Sequence, residues 1–259
     1  MSASIILPIL FGAIFLGKPY ITIFVIIIGM IAVYEFTKLI KISHFIIKFF
    51  LIFLLPIILM MFEFIQDNGF LVNNIFLIIA LVSSIYILSF KLGLNSQVKL
   101  SFYGLTGLIY IAGSLLSGLY IWENYQNTLM IIIMIGIFIS DTSAYIIGTQ
   151  IGKHALAKNI SPNKTIEGSI GSFIFTIIFF IMIYGQNISI FTNINTTILF
   201  AINLNISAQI GDIIISTLKR KANVKNTGVI MPGHGGCLDR IDSVLLSLLT
   251  THLFLWSIL

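Results

Sequence analysis

The chain has 259 residues, of which 58% are hydrophobic and only 9% are charged. A soluble domain carries roughly 25% charged residues, so this composition excludes an ordinary soluble protein. The formal net charge of +5 is interpreted as a membrane-topology signal, and we expect no nucleic-acid partner.

Long, continuous apolar runs predict an all-α, polytopic transmembrane protein, because about 20 apolar residues cross a bilayer as a helix. Short segments of alternating hydrophobicity, which are typical of a transmembrane β-barrel, do not describe these runs. We expect one integral membrane domain over residues 1–259, with N-terminal spans in about 1–128 and C-terminal spans and active-site loops in 129–259. About nine spans are predicted, at 3–17, 20–35, 46–62, 74–90, 102–122, 129–149, 169–186, 194–214 and 243–259.

The basic residues predict the orientation of these spans. If the N-terminus is cytoplasmic and the spans alternate, every one of the 14 Lys and Arg residues except Lys18 falls on the cytoplasmic side, as the positive-inside rule requires. The two longest polar loops, at about 150–168 and 215–242, then face the cytoplasm. The single cysteine, Cys237, excludes an internal disulfide framework and a multi-cysteine zinc site.

A first polar cluster begins at Gly211-Asp212 and ends at Lys219-Arg220, where the eighth predicted span meets the cytoplasm. On a helix, Asp212 and Ser216 share one face with Lys219 or Arg220, because residues three and four apart are neighbours. A carboxylate and a hydroxyl one turn apart are hard oxygen ligands that suit Mg²⁺, and the cations suit phosphates. The structural alternative is a basic helix end at which Asp212 neutralises a lysine.

A second cluster reads Pro232-Gly-His-Gly-Gly-x-x-Asp239-Arg240-x-Asp242. Its glycines let backbone N–H groups approach an oxyanion closely, and the helix N-terminus that follows favours anions. Asp239 and Asp242 are three residues apart and would point the same way. Helix capping by these aspartates is the structural alternative, but capping does not account for the neighbouring His234 and Arg240.

A third motif lies in the loop before the seventh predicted span and reads Ser161-Pro-Asn-Lys164-Thr165-x-Glu167-Gly168. We predict that Lys164 contacts a phosphate and that Glu167 orients the lysine. An ordinary basic loop is an equally good interpretation of this segment taken alone.

A fourth motif, Asp141-Thr-x-Ala-Tyr145-x-x-Gly148, lies inside the sixth predicted span. A carboxylate within a membrane span is costly and therefore indicates function. Asp141 is predicted to line a polar cleft that admits substrate. A hydrogen bond between packed helices is the alternative.

Together, these motifs resemble the phosphatidate cytidylyltransferase family, also called CDP-diacylglycerol synthases. The family signature is Ser-x-x-Lys-Arg, four residues, Lys-Asp, a short gap and Pro-Gly-His-Gly-Gly-x-x-Asp-Arg-x-Asp. This chain matches it from Ser216 to Asp242 with the spacing kept, and the motifs at Asp141 and Ser161 also fit. The resemblance covers the C-terminal half closely and the N-terminal half only as a set of membrane spans.

One position departs from the signature. The family has aspartate after the second signature lysine, Lys225, whereas this chain has Asn226. Asparagine keeps an oxygen acceptor but loses the negative charge. A catalytically weakened family member is therefore an alternative interpretation.

The resemblance implies that CTP and phosphatidic acid react to give CDP-diacylglycerol and pyrophosphate. The size and compactness of the chain favour a bacterial inner (plasma) membrane, with an organelle membrane as the alternative, and the predicted topology turns the active site toward the cytoplasm. The attacking phosphate is already anionic, so the main barrier is charge repulsion between the reactants. Catalysis is then expected from positioning and from cations. The resemblance also implies Mg²⁺ as cofactor, and it allows for a second metal ion and for a homodimer.

The resemblance further assigns a role to each motif residue. Asp212 and Asp239 are the expected metal ligands, and they belong to a catalytic set that also contains Ser216, Lys219 and Asp242. The residues expected to bind substrate are Asp141, Tyr145, Lys164, Thr165, Glu167, Arg220, Lys225, Gly233, His234, Gly235, Gly236 and Arg240.

A membrane transporter is the rival from another functional class, since it would also be polytopic and would use Asp141. Transporters place polar residues near the bilayer midplane on broken helices, whereas the charge here gathers in the predicted cytoplasmic loops. A CDP-alcohol phosphotransferase would need an Asp-Gly-x-x-Ala-Arg motif, which the sequence does not contain.

Overall fold

The fold is taken from a computed structural model that describes residues 12–42, 44–64, 96–125, 127–186, 191, 193–228 and 235–258. These residues form long helices and one short hairpin. The helices are α1 (Lys18–Leu39), α2 (Phe45–Phe64), α3 (Ser96–Asn124), α4 (Asn127–Ile151), α5 (Ile166–Tyr184), α6 (Ile194–Lys221) and α7 (Leu238–Ile258), and the strands are β1 (Ala155–Ala157) and β2 (Ser161–Thr165).

The predicted polytopic membrane protein is confirmed by the length and apolar character of these helices. Within the described residues, six helices are long and apolar enough to cross a membrane, namely α1, α4 to α7 and the part of α3 from Leu100 to Asn124. Helix α2 is a further apolar helix of 20 residues, with Pro56 in its interior. The predicted spans at 3–17 and 74–90 lie mostly or wholly outside the described residues. The count of nine spans and the cytoplasmic N-terminus therefore stay predictions.

The hairpin is the departure from an all-α fold in the part of the chain that the structure describes. Its antiparallel strands place Ala155 opposite Thr165 and Ala157 opposite Ser161, with a register irregularity between the two pairs. Strands of three and five residues are too short for alternating hydrophobicity to reveal them. Pro162 is tolerated in β2 because a strand of a two-stranded sheet has an edge that needs no N–H donor.

The chain divides into two compact units, each made of two segments. The first unit comprises Met1–Asn127 with Lys221–Ile241, and the second comprises Thr128–Arg220 with Asp242–Leu259. The segment Lys221–Ile241 groups with the N-terminal residues. The predicted site residues are consequently distributed over both units. The single integral membrane domain expected from the sequence stays a prediction.

In the first unit, helices α1, α2 and α3 pack on one another. Glycines permit this packing. A Cβ added at Gly29 would lie 2.7 Å from Leu115 Cδ1 and 2.9 Å from Leu55 Cδ2, and one added at Gly107 would overlap the ring of Phe36. Small residues at such places let membrane helices approach closely, because association in lipid depends on packing rather than on the hydrophobic effect.

In the second unit, an aromatic cluster forms part of the apolar core. Phe180 and Phe200 are buried and meet edge to face with ring centroids 5.2 Å apart. Phe254 of α7 packs on Phe200 with a centroid distance of 5.6 Å. Helices α5, α6 and α7 are thereby joined at one end of their apolar faces.

A buried polar network also joins helices α4, α5 and α6 of the second unit. Asn205 is fully buried, and its Nδ2 lies 2.9 Å from Ser140 Oγ, 3.0 Å from Ser172 Oγ and 3.1 Å from Thr176 Oγ1. Its Oδ1 accepts a hydrogen bond of 2.6 Å from Gln209 Nε2. Polar groups inside a bilayer must find protein partners, so this network orients the three helices.

We expect Asn205→Ala to lower the free energy of unfolding by about 1–3 kcal/mol, because buried hydroxyls lose their partner in a medium without water. Unfolding in mixed detergent micelles, followed by circular dichroism, measures this change. Asn203→Ala is the matched control on the same helix, at a partly exposed position, and should cost less than about 0.5 kcal/mol. Equal losses in the two variants would contradict the role given to the network.

Candidate active site

Strand β2 brings Lys164 to Asp212 of helix α6, and the two side chains form an ion pair. Their exposed fractions are 27% and 29%, so water screens the pair less than it screens a surface ion pair. Asp212 Oδ1 accepts a hydrogen bond of 3.0 Å from Ser216 Oγ. Asp212 and Ser216 therefore share one helix face, as predicted, and a cation from a distant segment joins them there.

Two sets of contacts hold the hairpin that carries Lys164. Arg220 Nε donates a hydrogen bond of 2.8 Å to the carbonyl oxygen of Ile160 in the turn. Glu167 Oε2 accepts from the backbone N–H groups of Lys153 and His154 at 3.1 and 3.2 Å, and Oε1 lies 2.6 Å from His154 Nδ1. Arg220 and Glu167 thus contact the segment around the hairpin, and their roles in substrate binding stay predictions.

Thr165 begins helix α5 as its N-cap, and its hydroxyl oxygen accepts from the N–H of Gly168 at 3.1 Å. Helix α4 packs closely against this helix start. A Cβ added at Gly148 would lie 2.9 Å from Thr165 Oγ1, and one added at Gly168 would lie 2.5 Å from the carbonyl oxygen of Ala144. The glycines of the two upstream motifs are therefore explained by close helix packing, whatever role Thr165 has toward substrate.

Three carboxylates of the second unit lie within electrostatic reach of one another, those of Asp141, Asp212 and Asp242. Ser243 connects two of them. Its hydroxyl donates to Asp141 Oδ2 at 3.0 Å, and its backbone N–H donates to Asp242 Oδ1 at 2.8 Å. Ionisable side chains that come together inside a membrane protein are costly and therefore indicate a functional site.

The backbones of α6 and α7 approach each other beside this cluster. A Cβ added at Gly211 would lie 2.5 Å from the carbonyl oxygen of Asp242 and 3.2 Å from Leu246 Cβ. Only glycine fits here without movement of the helices. The Gly211-Asp212 pair is therefore one unit, in which the glycine allows the close approach that brings Asp212 near Asp242.

The oxygen atoms of Asp212 and Ser216 fit a Mg²⁺ ion that is bound partly by water and by substrate phosphates. They do not fit a metal ion that is bound by protein side chains alone. Among the residues that the structure describes, no three His, Cys, Asp or Glu side chains converge as a ready-made metal site. Mg²⁺ keeps several waters and uses one or two carboxylates together with phosphates. Asp212 and Ser216 supply hard oxygens, and Lys219, which acts electrostatically on Asp242, adds positive charge suited to phosphate.

In the first unit, Asp239 lies in the first turn of α7 and is held by backbone donors. Its Oδ2 accepts from the N–H groups of Thr227 and Gly236 at 2.8 and 2.9 Å. Gly235 has a φ of 90°, and a Cβ there would lie 2.8 Å from Asp239 Oδ2. Glycine is needed at this position both for the backbone conformation and for the close approach to the carboxylate.

Two residues that do not belong to the predicted set, Glu35 and Thr227, are buried next to Asp239. Glu35 Oε1 accepts from the N–H of Cys237 at 3.0 Å, and Oε2 accepts from the N–H of Leu238 and the Thr227 hydroxyl, both at 2.8 Å. Glu35 could have been found by the criterion applied to Asp141, a carboxylate inside a membrane span. Thr227 has no comparable signal, because threonine is ordinary in a polar loop.

The remaining predicted residues are either exposed or outside the described residues. Lys225 and Arg240 are exposed in the first unit, and Tyr145 of α4 is 72% exposed in the second. Gly233 and His234 lie outside the residues that the structure describes. The roles of these five residues in substrate binding stay predictions.

Comparison with known proteins gives matches at two levels. Residues 1–258 match the Cytidylyltransferase family. The phosphatidate cytidylyltransferase of Staphylococcus saprophyticus is 35% identical over 187 residues, which are 69% of this chain and 68% of that protein. Those of Staphylococcus haemolyticus and Staphylococcus aureus are each 46% identical, over 108 and 110 residues.

The aligned stretch spans 41% of the length of the Staphylococcus haemolyticus protein and 41% of that from Staphylococcus aureus. The family match, in contrast, extends over residues 1–258 and so includes all the motifs described above. The resemblance inferred from those motifs is thereby confirmed. This chain belongs to the cytidylyltransferase family.

Proposed function

We propose that this protein transfers the cytidylyl group of CTP to phosphatidic acid, giving CDP-diacylglycerol and pyrophosphate. Its relatives bear the name phosphatidate cytidylyltransferase, which favours this enzyme over a transporter or a member that has lost catalysis. The observation that carries the proposal is the grouping of Lys164, Asp212 and Ser216. It combines hard oxygen ligands with a phosphate-binding cation, and both are needed to bring two anionic substrates together.

In the proposed reaction, a phosphate oxygen of phosphatidic acid attacks the α-phosphorus of CTP. The bond from that phosphorus to the bridging oxygen breaks, and pyrophosphate leaves with the electron pair. No strong general base is required, because the nucleophile is already an anion. The cations Lys164, Lys219 and Arg220 of the second unit reduce the repulsion between the substrates and stabilise charge on the leaving group.

A bound Mg²⁺ ion would supply further positive charge to the phosphates. Within the second unit, Asp212 is the proposed ligand, and Ser216 and Asp242 support the binding of the ion there. Within the first unit, Asp239 is proposed as a metal ligand on its own evidence. Asp239 resembles a metal ligand in one respect. Its Oδ2 accepts hydrogen bonds from two backbone N–H groups, and carboxylates that bind metals are commonly held by such hydrogen bonds.

We also propose that these residues face the cytoplasm of a bacterial plasma membrane. Lys18 and Glu123, which are both predicted to lie outside, form an ion pair of 2.8 Å. Arg220 and Ile160, which are both predicted to lie inside, share a hydrogen bond. Each pair agrees with the prediction that its two members lie on the same side of the membrane, and the positive-inside rule assigns that side. CTP would then arrive from the cytosol, and phosphatidic acid from within the bilayer.

The purified protein in detergent should convert labelled CTP into labelled lipid when phosphatidic acid and Mg²⁺ are present, and should form no labelled lipid when phosphatidic acid is omitted.

Asn226→Asp should change the rate by less than about tenfold, or about 1.4 kcal/mol, because the exposed amide already offers an oxygen acceptor. A wild-type protein that is inactive until Asn226 is replaced would contradict the proposed activity. Solute uptake into sealed vesicles without CTP turnover would support a transporter.

Asp212→Asn should lower kcat by about 100-fold or more, because the amide retains the Ser216 hydrogen bond but loses the charge that attracts Lys164 and Mg²⁺. Steady-state rates and thermal melting of the same preparation separate catalysis from folding. Glu123→Gln is the matched control, since it neutralises another ion-paired carboxylate and should leave turnover close to wild type. Full turnover in Asp212→Asn would remove this residue from the site.

The orientation can be tested with single cysteines, because the native Cys237 is buried and unreactive. Burial, and then the nearby Glu35 carboxylate, raise the pKa of its thiol to about 12, so the reactive thiolate is scarce at neutral pH. Asn159→Cys in the hairpin turn should react with an impermeant maleimide only from the cytoplasmic side. Gln186→Cys, exposed after α5, should react only from outside, and the reverse pattern would overturn the topology.

A further inference from the structure

We propose that Glu35 of helix α1 is a positioning residue for Asp239. Its buried carboxylate anchors the start of α7 and the hydroxyl of Thr227, and thereby fixes the orientation of the Asp239 carboxylate. All of these groups belong to the first unit. The catalytic consequence rests on the proposed function, whereas the effect on metal binding can be measured without turnover.

Glu35 occupies a buried site at the start of helix α7. Its side chain is 1% exposed and accepts the backbone N–H groups of Cys237 and Leu238 at 3.0 and 2.8 Å. Leu238 is the first residue of α7, and the first N–H groups of a helix have no partner within that helix. Glu35 therefore caps α7 from another helix, 203 positions away in the sequence, with its charge at the favourable end of the helix dipole.

Thr227 connects Glu35 to Asp239. Its Oγ1 lies 2.8 Å from Glu35 Oε2 and 3.1 Å from Asp239 Oδ2. A hydroxyl has one proton to donate, and the shorter distance gives that proton to Glu35. The N–H of Thr227 meanwhile donates to Asp239 at 2.8 Å. One residue therefore connects the two carboxylates, through its side chain to Glu35 and through its backbone to Asp239.

The backbone at Gly228 and Gly236 packs tightly against Glu35 and Thr227. A Cβ added at Gly228 would overlap the Glu35 carboxylate, and one added at Gly236 would overlap both that carboxylate and the Thr227 hydroxyl. Gly236 also donates its N–H to Asp239. The two segments that donate to Asp239, at Thr227-Gly228 and at Gly236, are thus packed directly on Glu35, so a displacement of the Glu35 carboxylate displaces the donors that hold Asp239.

A glutamine could not perform this task. Glu35 accepts three hydrogen bonds with its two oxygens. A glutamine has only one side-chain oxygen, so its NH₂ group would face either the N–H of Cys237 or the N–H of Leu238 and the Thr227 hydroxyl, and a donor would then meet a donor. A purely structural role for Glu35 would lower stability and leave the metal affinity of a folded protein unchanged. A positioning role lowers the metal affinity of a protein that remains folded, as is typical of residues behind a metal ligand.

The test compares Glu35→Gln and Thr227→Val with Thr227→Ser, which keeps the hydroxyl, and with Glu123→Gln as the control for a lost carboxylate. Binding of Mn²⁺ alone to the detergent-purified protein is followed by electron paramagnetic resonance. Glu35→Gln and Thr227→Val should weaken Mn²⁺ binding by about tenfold or more, whereas Thr227→Ser and Glu123→Gln should stay within about threefold of wild type. In turnover, the Mg²⁺ concentration for half-maximal rate should rise by the same factor, with little change in KM for phosphatidic acid.

The outcomes separate this inference from the proposed function. Unchanged Mn²⁺ affinity in folded Thr227→Val overturns the inference, and this variant decides the matter if Glu35→Gln does not fold. The absence of Mn²⁺ binding by the wild type overturns it as well. A wild type that forms no CDP-diacylglycerol, but whose Mn²⁺ affinity falls in both variants, rejects the reaction and keeps the inference. An active wild type with the same Mg²⁺ requirement in both variants keeps the reaction and rejects the inference.

Discussion

A carboxylate in a membrane-spanning helix has less water to solvate it than one on a soluble protein, and the arrangement of this protein's acidic residues follows from that cost. Glu35 is compensated by two backbone N–H groups and a hydroxyl. Asp212 is compensated by Lys164 and Ser216, and Asp141 accepts from Ser243. In each case at least one partner comes from another segment of the chain. Compensation of the charge therefore also fixes the positions of the segments that provide it.

The same requirement explains why glycine recurs beside these carboxylates. Backbone donors reach a carboxylate only if no side chain intervenes, and added Cβ atoms at Gly228, Gly235 and Gly236 would meet carboxylate oxygens of Glu35 or Asp239. Part of the Gly-rich signature thus has a role in the fold that does not depend on a bound phosphate. The role predicted for Gly235 and Gly236 in substrate binding does not conflict with this one and stays a prediction.

Local spacing made part of the structure predictable. Apolar runs predicted the membrane helices, and the four-residue interval between Asp212 and Ser216 predicted their shared face, because both depend on the geometry of one helix. The contact between Lys164 and Asp212 and the one between Glu35 and Leu238 join distant segments. No periodicity within a single sequence encodes such pairs. The sequence motifs therefore indicated the chemistry of the site, whereas the partners of each residue required the fold.

The distribution of polar groups suggests how such a chain combines stability with catalysis. The network around Asn205 consists of neutral amides and hydroxyls of the second unit, and Asn205 and the three hydroxyls that it contacts are buried. Neutral groups of this kind bind helices together at modest cost in lipid, whereas an ion costs most at the centre of the bilayer. Glu35 lies in the last turns of α1, Asp239 in the first turn of α7, and Lys164 directly before α5. Charge placed at helix ends avoids the largest desolvation cost, and Lys164, whose side chain is 27% exposed, also stays accessible to water, which is what the proposed reaction with a water-soluble nucleotide needs of a phosphate-binding cation.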